Sequence, residues 1–289
     1  MSENPSQVAV KEPRTVKDYL ALPNYRDRFN EVLGKKANGF MAAIVAASNM
    51  PGLKDAEPRS IIAAAMVSAT LDLPVNPTLG FAHLVAYGDR DGNKIAQFQL
   101  GSKGYIQLAL RAGSYKRMNA GPVNAEVFTG YDGVGEPVLD WSKFDPVKEA
   151  SGYFCAFELS NGFTKVVYWS KAQVEGHAKR FSKAYQKGYK SSPWFSDFDA
   201  MATKTVVKNA LSKWGILSVE MQTALTHDQG AQADVDSAIK YVDGETVTNQ
   251  PEIKKPIFSA AKNVTPATTD GPDSAIDSTK PETAKEPHA

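Results

Sequence analysis

The chain has one cysteine, few histidines and no long apolar run, and each scarcity excludes a class of protein. Cys155 cannot form an internal disulfide, and its aromatic neighbours indicate a buried thiol rather than a nucleophile. No apolar stretch approaches the roughly 20 residues that cross a bilayer. The first 14 residues lack the apolar centre of a signal peptide. We therefore expect a cytoplasmic protein with no membrane partner.

Motifs for nucleotide hydrolysis, zinc binding and nucleophilic catalysis are also missing. No G-x-x-x-x-G-K-[ST] segment occurs, which excludes a P-loop ATPase. The histidines are scattered without an H-x-x-x-H pair, so no zinc site is expected. Asp197 and Asp199 could suggest a metal-dependent nuclease, but two residues apart on a helix they diverge by about 200°. The sequence predicts no catalytic residue, no metal and no cofactor.

A formal net charge of +1 conceals an uneven distribution of charge along the chain. From Asp228 to the end there are 11 acidic and 6 basic residues, a net charge of −5, whereas residues 1–227 carry +6. A basic body favours an anionic partner. The acidic end is either a docking segment or a solubilising tail, and composition leaves both open.

Composition and patterning divide the chain into four regions. Residues 1–14 are polar and predicted to be disordered, and residues 15–50 are predicted to form N-terminal helices opened by a cap at Thr15. Residues 51–228 form the predicted core. Residues 229–289 form an acidic, mostly disordered tail with a short helix predicted at 233–241.

Helical patterns followed by hairpin patterns predict an α+β fold, with antiparallel hairpins packed against helices. Pro58 occupies a first-turn position of one helix. Hairpins are predicted around residues 89–93 and around Asn161-Gly162, and a third strand pair between residues 123 and 139. The clearest helix is predicted to run without a break from a Ser192 cap to Gly215.

The segment GSKGYIQLALRAG, residues 101–113, follows a strand and begins a helix. Lys103, Gln107 and Arg111 are spaced by four and form one polar stripe, whereas Tyr105 can face the core. The stripe is either a contact for a phosphodiester backbone or the wet face of an ordinary amphipathic helix.

Two neighbouring features favour the nucleic-acid interpretation. Gly101 and Gly104 are expected to leave the amide groups of the helix start open to a phosphate. Lys116 and Arg117 extend the basic surface beside Tyr115, a combination of cations and an aromatic ring that single-strand binders use.

Further candidate contacts lie in the second half of the chain. Lys204 and Lys208 are four residues apart and are predicted to share an exposed helix edge. Trp194 is either a core residue or a stacking platform. Lys183 belongs to a basic, aromatic segment at 177–194, predicted to be a mobile loop that either clamps nucleic acid or is simply solvated.

A resemblance to a known family rests on three ordered blocks, AMVSATLDLPVNPTLGFAHLVAY, QFQLGSKGYIQLALRAG and PWFSDFDAMATKTVVKNALSKWGILSVEMQTAL. They closely resemble the RecT single-strand annealing proteins of phages and prophages, especially those of Gram-positive hosts. The resemblance runs from about residue 19 to about residue 227.

The resemblance implies a core related to the Redβ and Rad52 annealing proteins, assembly into rings or helical filaments, and annealing without ATP. One strand would be held by its phosphate backbone with its bases exposed for pairing. Position by position, the family motifs carry a DNA-contact role to Lys103, Tyr105, Gln107, Arg111, Lys204 and Lys208.

The implied partners are single-stranded DNA, the annealed duplex intermediate and further copies of the chain. The N-terminal helices would contact a neighbouring subunit, and the acidic tail would dock a host single-strand-binding protein or a phage exonuclease. Two rival functions stay open: a metal-dependent nucleic-acid enzyme, and a structural oligomer that binds DNA incidentally.

Overall fold

The computed structural model describes residues 12–88, 92–190 and 192–241. Its helices and antiparallel strands confirm the predicted α+β class. The relation of this core to Redβ and Rad52 stays a prediction. The disorder predicted for residues 1–11 and 242–289 and the turn predicted at 89–91 lie outside the described residues.

Helices dominate the first third of the described chain, and antiparallel strands alternate with helices after residue 81. The helices are α1 Val16–Ala21, α2 Pro23–Leu33, α3 Ala37–Ser48, α4 Pro58–Thr70, α5 Ser102–Arg111, α6 Lys171–Phe181, α7 Lys183–Gln186, α8 Pro193–Ser196, α9 Phe198–Trp214 and α10 Val219–His227. The strands are β1 Ala82–Gly88, β2 Lys94–Leu100, β3 Tyr115–Val123, β4 Phe128–Tyr131, β5 Pro137–Leu139, β6 Gly152–Leu159, β7 Thr164–Ser170, β8 Gly230–Ala231 and β9 Lys240–Tyr241.

The N-terminal helices belong to the main core of their own chain. Thr15 and Asp18 form the predicted capping box of α1. Helices α1, α2 and α3 all pack against α4, whose run of alanines permits close approach. Phe29 and Ile44 are fully buried there. Residues 15–50 therefore contribute to the fold of the monomer, and their contact with a neighbouring subunit stays a prediction.

The first sheet has the strand order β1-β2-β8-β9, and its β1–β2 hairpin confirms the predicted pairing. Helix α4 covers one face, where the Ser60 hydroxyl accepts a hydrogen bond from the amide of Ala96. The predicted helix at 233–241 is wrong, because Ala231 pairs with Gln97 and the chain then returns as β9. The folded core thus extends to residue 241, beyond the predicted boundary at 228.

The second sheet has the order β3-β6-β7, with the Asn161-Gly162 hairpin joining β6 to β7 as predicted. Gly162 has φ of +88°, the conformation that a tight turn requires of glycine. One face of β6 packs on α9, and it includes Cys155, whose pKa is raised to about 12 by burial. The predicted third pair is present as β4–β5.

The predicted long helix after Ser192 is wrong in one respect, because it is interrupted at Asp197. That residue is non-helical, and its carboxylate accepts the amide of Ala200 at 3.1 Å, so it caps α9 separately from α8. The loop predicted at 177–194 is wrong for residues 177–181, 183–186 and 193–194, which are helical. It contains the end of α6 and the short helices α7 and α8, capped by Ser182 and Ser192.

Candidate nucleic-acid interface

Helix α5 presents the predicted polar stripe to solvent. Lys103, Gln107 and Arg111 are exposed, whereas Tyr105 and Leu108 are buried beneath them. Within the described part of the chain, the Lys103 ammonium makes neither an ion pair nor a hydrogen bond. Its charge is therefore available to an anion from solution.

Arg111 is exposed but already engaged. Its Nη2 donates to the carbonyl of Leu71 at 2.6 Å, and its Nη1 lies 3.8 Å from the Asp72 carboxylate. Leu71 is the C-cap of α4, so the guanidinium satisfies a carbonyl at that helix end. About a third of the Arg111 side chain stays accessible, since its relative exposure is 36%. Its first role is to join α5 to α4.

The two glycines at the start of α5 pack directly against protein backbone. A Cβ atom at Gly101 would lie 2.1 Å from the Gly80 carbonyl oxygen, and one at Gly104 would lie 2.2 Å from that of Phe81. The Gly101 amide itself donates to the Phe81 carbonyl at 2.9 Å. The absence of a side chain at these glycines therefore serves packing, and phosphate binding at the helix start stays a prediction. The glycines permit close packing of α5 on the segment before β1.

A buried carboxylate joins α5, α9 and β2. Asp228 follows α10 and is 1% exposed. It accepts hydrogen bonds from the Leu100 amide at 2.9 Å and from the Tyr105 hydroxyl at 2.9 Å. Lys204 and Lys208 complete the set with Nζ-to-oxygen distances of 3.2 and 3.0 Å. Every direction from which water would solvate this carboxylate is thus taken by a donor.

The charge state of Asp228 follows from two opposing effects. Burial favours the neutral acid, but the two ammonium groups and the hydrogen bonds from Leu100 and Lys208 outweigh it and hold the pKa of Asp228 below its usual range. The carboxylate is therefore ionised at neutral pH. Removing the carboxylate would leave the two ammonium groups without their counterion, which costs about 3–5 kcal/mol.

This network corrects two of the predicted DNA contacts. Lys204 is 7% exposed and Tyr105 is fully buried, so neither side chain reaches a DNA strand in this conformation. Both bind Asp228 instead. Lys208 differs in exposure, because 21% of its side chain is accessible where it lines a cavity together with Lys204.

That cavity has a volume of about 260 Å³ and lies between the first sheet and the helices that follow β7. Its wall is contributed by β1, β2, β7 and α6 to α9. Trp194 is 7% exposed and belongs to this wall, so the structure combines the two alternatives considered for it: a largely buried ring that also lines a cavity.

A basic segment at residues 176–196 borders the cavity and concentrates positive charge within 21 residues. It carries five basic residues and no acidic one. Lys183 is exposed at the start of α7. Arg180 lies 5.1 Å from the Phe181 ring and Lys190 lies 4.6 Å from the Phe195 ring. Cations and aromatic rings are thus interleaved along the segment, which is partly helical rather than a loop throughout.

Lys116 and Arg117 lie elsewhere, on the edge strand β3 of the second sheet. Both form ion pairs with Glu158, at 2.8 and 2.7 Å, and the hydrogen bond from Lys116 contributes most to lowering the pKa of that carboxylate. Neither residue lines the cavity. The pair and Glu158 together leave a net charge of +1 on this edge.

The acids considered for a nuclease have structural partners. Asp197 caps α9, and Asp199 accepts the Tyr153 hydroxyl at 2.5 Å. Among residues 12–88, 92–190 and 192–241, no group of three or more His, Cys, Asp or Glu side chains is arranged to hold a metal ion. None of the described helices combines the length and apolar character needed to cross a membrane.

Comparison with known proteins agrees with the three sequence blocks. The RecT family model matches residues 38–241, most of the chain and as far as the end of β9. The chain belongs to the RecT family. Membership implies a part in DNA recombination by single-strand annealing. The predicted resemblance is thereby confirmed.

Two relatives illustrate the range of this similarity. Uncharacterized protein YqaK of Bacillus subtilis strain 168 is 44% identical over 242 residues, which are 83% of this chain and 81% of the relative. Protein RecT of Escherichia coli K12 is 24% identical over 242 residues, 81% of this chain and 87% of the relative. One of these relatives thus comes from a Gram-positive bacterium.

Sequence reasoning missed Asp228 and most of the cavity wall. The four groups that bind Asp228 lie between 20 and 128 residues away in the sequence. No local pattern reports such a convergence. The helical spacing of Lys204 and Lys208 was visible, but the spacing places both on one side of α9 without saying which side is buried.

Proposed function

We propose that the protein binds single-stranded DNA through its phosphate backbone and anneals complementary strands without nucleotide hydrolysis. The observation that carries the proposal is the basic segment 176–196 beside the cavity. Within the described residues, Lys179, Arg180, Lys187 and Lys190 make no ion pair. Lys103 on α5 adds a further available cation.

Such a surface suits a single strand of any sequence. Lysine and arginine neutralise phosphates and release condensed counterions, which provides affinity without reading the bases. Aromatic rings between the cations offer stacking platforms. A strand held by its backbone keeps most base edges free, so a complementary strand can pair with it in place.

Independence from ATP is supported by the sequence, which contains no P-loop segment. Annealing is downhill in free energy once both strands are aligned, so the protein needs only to bring them together. The strands are its ligands rather than substrates of bond chemistry, and we propose no catalytic residue.

We further propose that the protein assembles into oligomers and binds partner proteins through its acidic tail. Several copies would line their basic segments along one strand, as a ring or a filament, with residues 15–50 at the subunit contact. The acidic tail would dock a host single-strand-binding protein or a phage exonuclease. Most of that tail lies outside the described residues.

The test is the annealing of two complementary fluorescent oligonucleotides, with no nucleotide present, over a series of salt concentrations. Wild type should accelerate annealing, and added ATP should change nothing. The double variant Lys103→Ala, Lys187→Ala should anneal more slowly and bind single strands with a salt dependence flatter by up to about two units of slope.

Lys143→Ala with Lys148→Ala is the matched control, because it removes two exposed lysines that already pair with Asp140 and Glu126. It should behave as wild type. Shortening of labelled DNA with magnesium would favour a nuclease instead. Assembly without any acceleration of annealing would favour a purely structural oligomer, and either result would overturn the proposal.

A further inference from the structure

We propose that the cavity beside the basic segment receives one nucleobase of the bound strand, turned away from the exposed row of bases. This inference rests on the proposed binding of single-stranded DNA and adds a specific site to it. Each protomer would hold one base apart while the neighbouring bases stay available for pairing.

The aromatic part of the wall provides the stacking surface. Trp169, His177 and Phe181 follow one another with ring centroids 5.5 and 4.6 Å apart, and all three line the cavity. Each is only half-buried, so ring surface remains accessible. A planar base is the component of DNA that stacks on such rings, whatever its identity.

Two side-chain amides provide hydrogen-bonding groups at the same cavity. Gln99 donates through Nε2 to the Tyr87 hydroxyl at 2.9 Å, and its Oε1 has no partner among the described residues. The Asn209 side chain lines the cavity half-buried, and its amide likewise makes no hydrogen bond to a described residue. An amide offers both a donor and an acceptor, which matches the edge of any base.

The electrostatics of the cavity suit a nucleotide rather than an uncharged ligand. Lys204 and Lys208 both line the wall, and the basic segment 176–196 forms the neighbouring surface. Both lysines bind the buried carboxylate of Asp228, so these three groups together carry a net charge of +1. Burial, with the charges of Lys208 and Arg180, lowers the pKa of His177, so its ring is neutral at physiological pH.

The size of the cavity limits what can enter. Its 260 Å³ is slightly below the roughly 300 Å³ at which pockets for drug-sized molecules begin. One ring system fits this space, whereas a run of several stacked bases does not. The occupant is therefore a single base whose phosphates stay outside, near the cations.

The experiment places the fluorescent base 2-aminopurine in an oligonucleotide and measures its emission on binding. Stacking on aromatic rings quenches this base. Ala184→Phe fills the cavity from α7, and Phe181→Leu removes one ring while keeping an apolar side chain of similar size. Ala172→Phe is the control, because it adds the same ring at an exposed position of α6 outside the cavity.

Wild type and Ala172→Phe should quench the probe, whereas Ala184→Phe and Phe181→Leu should not. An oligonucleotide of abasic residues should bind wild type roughly tenfold more weakly than one with bases, the low end of the effect of stacking. The same comparison should show a smaller difference in Ala184→Phe, because only stacking outside the cavity remains there. Circular dichroism checks that each variant is folded. If Ala184→Phe does not fold, the result for Phe181→Leu tests the inference.

Several outcomes separate this inference from the proposed function. Equal quenching in all four proteins, with strand binding and annealing intact, would overturn the base site and leave the proposed function standing. Quenching of tryptophan by adenosine monophosphate without any binding of oligonucleotides would mean a free nucleotide is the ligand, which also overturns the inference. A wild-type protein that binds no single-stranded DNA would overturn both the base site and the proposed function.

Discussion

Helices α5 and α9 each carry polar residues spaced by four, including a lysine, yet the two helices use their basic residues differently. Lys103 on α5 stands exposed with its charge available, whereas Lys204 on α9 is buried against Asp228. The same residue type at the same spacing is thus a surface cation in one helix and an internal counterion in the other. Spacing identifies a stripe, and only the packing around it decides its chemistry.

The largest expected effect comes from removing the buried carboxylate. Asp228→Asn leaves Lys204 and Lys208 without their counterion, so the free energy of unfolding should fall by about 3–5 kcal/mol. Urea denaturation of the wild type and the variant measures this loss.

Asp72→Asn is the matched control for that change. Asp72 also faces two cations, Lys36 at 2.9 Å and Arg111 at 3.8 Å, but its side chain is 54% exposed. Asparagine tolerates the positive φ of this position, so a loss within about 1 kcal/mol is expected. Equal losses in the two variants would contradict the distinction between buried and exposed pairs.

Replacing Lys204 or Lys103 by methionine, in separate variants, should distinguish an effect on stability from an effect on DNA binding. Lys204→Met removes a charged hydrogen bond to Asp228 and should lower the free energy of unfolding by about 1.5–3 kcal/mol. Lys103→Met should change stability by no more than about 0.5 kcal/mol but flatten the salt dependence of strand binding by up to about one unit. Denaturation and fluorescence anisotropy measure the two quantities.

The reverse result would be an unstable Lys103→Met and a Lys204→Met that loses only strand binding. It would contradict the exposed role of Lys103 and the buried role of Lys204. Lys208 serves as an intermediate case, because it pairs with Asp228 and is partly accessible. We expect Lys208→Met to lose some of both properties.

The beginning of α5 provides a third test, because its two glycines are closely packed against backbone. Gly104→Ala would place a methyl group 2.2 Å from the Phe81 carbonyl oxygen, and the free energy of unfolding should fall by about 1–3 kcal/mol. Gly39→Ala in α3 meets nothing within 4 Å and should stabilise by about 0.5–1 kcal/mol. A stable Gly104→Ala variant that has lost phosphate binding would support the anion-site hypothesis.

The smallest expected effect is the pH dependence of stability. Burial lowers the pKa of His83, His177 and His227 in the folded protein. Below about pH 6.5 the unfolded chain therefore binds more protons at these positions, and stability decreases as the pH falls. The urea midpoint should be lower at pH 5.5 than at pH 7.5, and His177→Gln should reduce the difference. A midpoint that rises on acidification would contradict this prediction.

Local features of the fold could be predicted from the sequence because their causes are local. The capping box at Thr15, the turn at Asn161-Gly162 and the first-turn proline of α4 each depend on a few adjacent residues. The polar stripe of α5 follows from helical periodicity in the same way.

The rest depends on contacts between distant residues. The interruption at Asp197 requires a choice between two caps, Ser192 and Asp197, that are both acceptable locally. Strand β9 pairs with β8, which in turn pairs with the distant strand β2. No pattern within residues 233–241 predicts this pairing. The Asp228 network likewise exists only once α5, α9 and β2 have been packed together.

Lysine labelling with an acetylating reagent, read by mass spectrometry on the wild-type protein with and without a single-stranded oligonucleotide, tests the central contrast most directly. In the protein without DNA, Lys103 and the lysines of the basic segment should react rapidly. The bound strand should protect them from the reagent. Lys204 should react slowly in both conditions. Protection of Lys204 with no change at Lys103 would contradict the assignment of α5 and the basic segment to the DNA surface.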